Sequence, residues 1–218
     1  MRGKLLPPIL LGVMALSLLF GLILGRPGDP GGLPWNSAPA TVQAVMWPEP
    51  RALSGFGLVD TQGRPFGPDQ FIGQWDFVFF GYMACPDVCP NSLHAMRDMQ
   101  RLLAQRNSTR DPLRFVFVSV DHEHDTPEAI GDYLDWWQAD FLGLSGSADS
   151  IARLARQLAV FYQEHVDDSG YRSIDHSSSL VIIDPVGRAV GALQPPLEPV
   201  SMVERFETLH EFMHRSGI

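Results

Sequence analysis

Two runs of the chain are apolar almost without interruption and short enough to be strands: Trp75–Tyr82 (WDFVFFGY) and Leu113–Val120 (LRFVFVSV). Such runs read as strands buried on both faces, the pattern of a parallel sheet covered by helices. Between them, Asn91–Gln105 places Leu93, Met96, Met99, Leu102 and Leu103 at helical spacing. A second helix is predicted from Pro127 to Gln138. Thr126 caps it, and the proline fits the first turn. Ala148–Val160 repeats the helical pattern with Ile151, Leu154, Ala155 and Leu158, and a last helix covers Pro199–His214. Phe56–Asp60 and Arg64–Phe66 flank Thr61-Gln62-Gly63 as one hairpin. Ser179–Ile183 and Arg188–Leu193 flank Asp184-Pro185-Val186-Gly187 as another. Strand–helix–strand order with added hairpins predicts an α/β fold, a helix/sheet/helix sandwich. Of the adjacent Trp136 and Trp137, one ring is expected in the core and one on the surface.

The apolar stretch Leu5–Gly25 is of another kind, 21 residues without a charged side chain. As a helix it spans roughly 31 Å, enough for a bilayer core. Arg2 and Lys4 precede it, so the positive-inside rule keeps the N-terminus cytoplasmic and sends the remainder across the membrane. A cleaved signal peptide has a shorter apolar region and a small-residue cleavage site. This stretch ends Leu24-Gly25-Arg26, so an uncleaved anchor over residues 1–25 is expected. Residues 26–40 contain four Pro and three Gly, the composition of an extended linker. We place the linker at 26–44 and one domain at 45–218.

Charge narrows the partners. Of 16 basic residues, Arg2, Lys4 and Arg26 come first, leaving 13 beyond Arg26 against 25 acidic ones, a net charge of −12. Nucleic acid is not expected on such a surface. Asp121–Asp140 carries seven acidic residues and no Lys or Arg. It reads as a solvated face, with docking of a basic partner, or an accessory metal site with His122 and His124, as the alternatives.

Candidate chemistry rests on the only two cysteines, Cys85 and Cys89, in Gly81-Tyr82-Met83-Ala84-Cys85-Pro86-Asp87-Val88-Cys89-Pro90. They stand four apart, one helical turn, where a strand gives way to a helix. The helix dipole at that end favours anionic sulfur and is expected to lower the thiol pKa. Such a pair can hold one soft ion, Cu(I), zinc or an iron–sulfur cluster, or close as a disulfide. Two cysteines alone complete neither a structural zinc site nor a cluster, so a third ligand is needed.

Three segments resemble one family. Gly81–Pro90 with Leu93 resembles GYTxCPDVCPxxL. Phe117–Asp121 followed by Asp125-Thr126-Pro127 resembles FVSVDPxRDTP. Tyr171–Gly187, with Asp175-His176-Ser177, resembles YxVDHSxxxYLxDPxG. These are motifs of the Sco/SenC proteins, membrane-anchored copper-binding members of the thioredoxin superfamily, and the likeness spans about residues 50–215. The resemblance implies a thioredoxin-like fold and one copper per chain, Cu(I) or Cu(II), held by Cys85, Cys89 and His176. It also implies copper delivery to the binuclear centre of cytochrome c oxidase subunit II or to another copper protein. The setting would be the inner membrane with the domain periplasmic, or the intermembrane-space equivalent. The loop before Ser179, polar at Asp167-Asp168-Ser169-Gly170, must then fold over the cysteine loop. Met83 stands where the family has Thr, and His122 and His124 replace Pro and Arg.

Other readings use the same residues. A thiol–disulfide reductase would use Cys85 and Cys89 without requiring His176, although that class has C-x-x-C. A structural disulfide is the common fate of paired cysteines outside the cytoplasm. A peroxidase fits poorly, since its resolving thiol is usually distant. His210-Glu211-Phe212-Met213-His214 matches the H-E-x-x-H pattern of zinc proteases, but at a helix C-terminus, where histidines complement the dipole.

Overall fold

The computed structural model describes residues 35–138 and 140–217. The predicted span Leu5–Gly25 lies outside them. Among the described residues no helix is long and apolar enough to cross a membrane. The elements in chain order begin with the short helix α1 (Ala40–Gln43) and strands β1 (Met46–Ala52), β2 (Leu58–Asp60), β3 (Pro65–Phe66) and β4 (Trp75–Gly81). Helix α2 (Val88–Arg106), strand β5 (Leu113–Ser119), helix α3 (Pro127–Trp136), strand β6 (Phe141–Gly146) and helix α4 (Ala148–Gln157) follow. Strands β7 (Tyr162–Val166), β8 (Arg172–His176), β9 (Leu180–Ile183) and β10 (Arg188–Leu193) precede helix α5 (Pro199–Arg215).

Eight strands form one mixed sheet in the order β1-β10-β9-β4-β5-β6-β2-β3, and β7 and β8 pair with each other alone. The parallel pairs are β4 with β5, from Trp75 opposite Leu113 to Gly81 opposite Ser119, and β5 with β6. All seven residues of β4 are buried. Side chains alternate between faces along a strand, so both faces of the sheet are covered. Phe77 stacks on Phe115 at 4.8 Å between ring centroids and meets Phe206 of α5 edge-on at 4.9 Å. Helix starts follow their capping residues. Thr126 Oγ1 accepts from the Ala129 N–H, and Ser147 Oγ accepts from the Ser150 N–H, both at 3.3 Å.

Both predicted hairpins form, and the two tryptophans divide as expected, Trp137 buried and Trp136 exposed. Four features differ from the pattern-based expectation. Strand β1 (MWPEPRA) has two prolines, which a ladder tolerates only at an edge, and it pairs with β10 at the end of the sheet. Strand β6 (FLGLSG) is interrupted by glycine because helix α3 lies against it. A Cβ on Gly143 would stand 2.6 Å from Ile130 Cγ2. The polar segment before Ser179 is a paired hairpin, β7–β8, rather than an open loop. Its turn is closed by Asp167 Oδ1, which accepts from the Ser169 and Tyr171 N–H groups at 2.8 and 2.9 Å. Ala38 and Val42, within the stretch read as linker, are buried in the core.

Candidate metal centre

Strand β4 delivers the chain to the C-terminal edge of the parallel strands, and Tyr82–Asp87 turns it into α2. Cys85 lies in that turn, before the helix, and Cys89 in the first helical turn. The Cys85 Sγ accepts the Cys89 N–H at 3.4 Å, so the first sulfur serves one of the free donors of the helix start. Cys89 is fully buried. His176 ends β8 and closes over both sulfurs, its Nε2 3.2 Å from Cys89 Sγ and 4.0 Å from Cys85 Sγ. All three ligand atoms lie within 4.8 Å of one another. The sulfurs are not bonded to each other.

The histidine is oriented by its surroundings. Its Nδ1 faces the Ser177 carbonyl at 3.2 Å. A carbonyl only accepts, so this contact places the proton on Nδ1 and leaves the Nε2 lone pair toward the sulfurs. Phe79 and Tyr82 meet the ring edge-on at 5.7 and 6.0 Å. The Tyr82 hydroxyl accepts the Ile174 N–H at 3.3 Å, tying β8 to the cysteine loop.

Burial decides the charge states. It lowers the His176 pKa, keeping the imidazole neutral. It pushes the Cys89 thiol far above its ordinary value. The expected lowering by the helix dipole is thus reversed for Cys89, because desolvation of a thiolate outweighs the first-turn field. A bound cation restores the thiolate by direct coordination. Two buried sulfurs and one partly buried imidazole suit a soft, low-coordinate ion.

The remaining sequence candidates do not join this group. His124 Nδ1 pairs with Asp121 Oδ1 at 2.8 Å, and His122 faces Glu123 at 4.0 Å. Met83 packs partly buried against the core. His210 is bound to Asp111 at 2.9 Å and Thr109 at 3.1 Å, beside the Trp75 ring. Trp75 opens β4 and the cysteines follow its far end, about 20 Å away at 3.3 Å per residue. Among the described residues, Cys85, Cys89 and His176 form the one group of three such ligands.

Sequence reasoning missed the acids behind the site. Asp121 and Asp125, read as part of a solvated face, are 2% and 3% exposed. Asp125 Oδ2 accepts the Met83 N–H at 3.0 Å and the Ser119 hydroxyl at 2.6 Å, and burial raises its pKa. The sequence offered only a weak signal, that Asp121 comes two residues after the end of the mostly apolar strand β5.

A thioredoxin-like domain with a Cys-Cys-His cluster where its first parallel strand meets the following helix defines a class of metal-site proteins. Residues 47–211 match the SCO1/SenC family, and the chain belongs to it. It is 31% identical over 199 residues to the SCO2-like protein of Rickettsia conorii, covering 90% of each chain. It is 33% identical over 133 residues to the human mitochondrial SCO2 homolog, covering 61% of this chain and 50% of that one. Among solved structures, Bradyrhizobium japonicum ScoI with copper bound is similar at a TM-score of 0.62 and 28% identity, covering 73% of this chain and 98% of that one. Yeast Sco1 with copper bound gives 0.65 and 25%, covering 72% and 87%.

Proposed function

We propose that the chain is a copper metallochaperone. It binds one copper ion, Cu(I) or Cu(II), through Cys85, Cys89 and His176, and delivers it to the binuclear copper centre of cytochrome c oxidase. Leu5–Gly25 tethers it to the membrane, with the domain on the non-cytoplasmic side. The observation that carries this reading is the convergence of the two sulfurs and Nε2 within 4.8 Å. A neutral imidazole meets thiols that ionise on coordination, so loading releases protons and unloading takes them up. A site of three ligands leaves room for an incoming ligand of the acceptor to join before the old ones leave. The copper bound in the ScoI and Sco1 relatives supports the choice of metal.

A second reading is a thiol–disulfide reductase that keeps the oxidase's cysteines reduced. The proximity of the two sulfurs favours it, while the burial of Cys89 weakens it, because the thiolate is the attacking species. His176 separates the two. In cells at low copper, His176→Ala is expected to block cytochrome c oxidase assembly, with added copper restoring it. Normal assembly in that variant would replace metal delivery with the reductase role.

A further inference from the structure

His176 sits on a hairpin that takes no part in the eight-stranded sheet, so contacts other than that ladder must fix its ring over the sulfurs. Arg172 opens β8, four residues before His176. Its Nη1 and Nη2 donate to the two oxygens of Asp121 at 2.6 and 3.0 Å. Its Nε donates to Glu164 on β7. The guanidinium therefore spans both strands of the hairpin and the body of the domain.

Asp121 belongs to the segment after β5 and is itself held. Its N–H donates to Ser119 Oγ at 3.1 Å, and Ser119 Oγ donates to Asp125 Oδ2 at 2.6 Å. The same Oδ2 accepts the Met83 N–H at 3.0 Å, two residues before Cys85. One chain of hydrogen bonds thus joins the arm that carries the histidine to the loop that carries the cysteines.

We propose that Arg172 is a positioning residue whose forked pairing with Asp121 latches the β7–β8 hairpin and holds His176 at the two sulfurs. The planar guanidinium matches the carboxylate through two parallel bonds, which lysine cannot reproduce. The base of the hairpin has its own ties, Ile174 to Tyr82 and Ser177 to Phe161. Losing Arg172 therefore frees the turn end of the hairpin to lift from the domain and open its ladder, while the base stays tied. The metal half of this inference rests on the copper reading, and its mechanical half does not.

Two readouts on the full chain test it. In the metal-free protein, Arg172→Met should speed hydrogen exchange of the β7–β8 amides roughly tenfold or more, the effect of losing a charge-assisted pair. The β4 and β5 amides should keep their native rates, and Arg172→Lys should fall between. In the copper-loaded protein, Arg172→Met should weaken Cu(II) binding about 10–100-fold, the usual effect of removing an outer-shell partner. It should also shift the thiolate-to-Cu(II) absorption band, while Cu(I), held mainly by the two thiolates, changes far less. If Arg172→Met fails to fold, Arg172→Gln is judged by the same two readouts. Native hairpin exchange in the variant overturns the latch, as does equal weakening of Cu(I) and Cu(II). A native chain that binds no copper would overturn the copper reading while leaving the exchange result to decide the latch.

Discussion

Gly81 determines how closely the buried sulfur can approach the sheet. A Cβ at this position would stand 2.7 Å from Cys89 Sγ and 3.0 Å from both Phe79 and Phe117. The sulfur and both rings crowd that position together, so a methyl group there fits only if the rings or the first turn of α2 move. Gly81→Ala should therefore destabilise the domain by about 1–3 kcal/mol, the usual effect of overpacking, and displace Cys89 from His176. Thermal unfolding and copper titration of the variant check both parts; native values in both would show that the loop yields easily. At this scale the three residues that converge were legible in the sequence, because Cys85 and Cys89 are the only cysteines and His176 sits in a recognisable motif. Asp121 and Asp125 were not. Their burial depends on how the segment after β5 folds back beneath Met83 and Arg172, and a run of acids carries no sign of that path.

The strands and helices with strong periodicity were legible as elements; those that depend on neighbours were not. Strand β1 reads as a proline-broken segment until β10 lies beside it, and β7–β8 reads as a polar loop until its cross-strand ladder forms. Asp76 shows the reverse case, a charged residue inside a run that otherwise reads as wholly apolar. It lies fully buried in β4, with Arg114 Nε at 2.5 Å from Oδ1 and Gln74 Nε2 at 3.1 Å from Oδ2. Burial pushes its carboxyl up to about 6, with Arg114 opposing the rise. The folded value lies above the unfolded one, so the native state holds this proton more tightly. The stability Asp76 contributes is then fully present below about pH 4 and is lost as pH rises through 6. The loss amounts to roughly 2–3 kcal/mol, since each tenfold difference in proton affinity is worth about 1.4 kcal/mol. Urea unfolding at pH 4.5 and 7.5 should show this decline in the native chain and a flatter dependence in Asp76→Asn. An identical pH dependence in the two would show that Asp76 keeps its ordinary titration.

For the whole molecule, the Pro- and Gly-rich composition of residues 26–40 suggested a linker, placed at 26–44, yet core residues occur within that span. Ala38, Val42 and Val45 are buried in the core, α1 packs against α5, and β1 closes the sheet edge beside β10. The signal was faint because α1 is four residues long and flanked by proline. A chain beginning at Trp35 should fold to a soluble domain with native stability. One beginning at Leu53, which lacks these elements, should expose the β10 edge and aggregate or unfold. Circular dichroism and size-exclusion chromatography of the two distinguish the outcomes, and equal behaviour would assign β1 no structural role.

The central claim is that two thiolates and one imidazole hold the metal, and copper-edge X-ray absorption of the loaded chain tests it most directly. We expect two sulfur scatterers and one imidazole nitrogen around each copper in the native protein. In His176→Ala the sulfurs should remain and the imidazole signature should vanish. An imidazole signature persisting in His176→Ala, or fewer than two sulfurs in the native chain, would contradict the assignment of Cys85, Cys89 and His176.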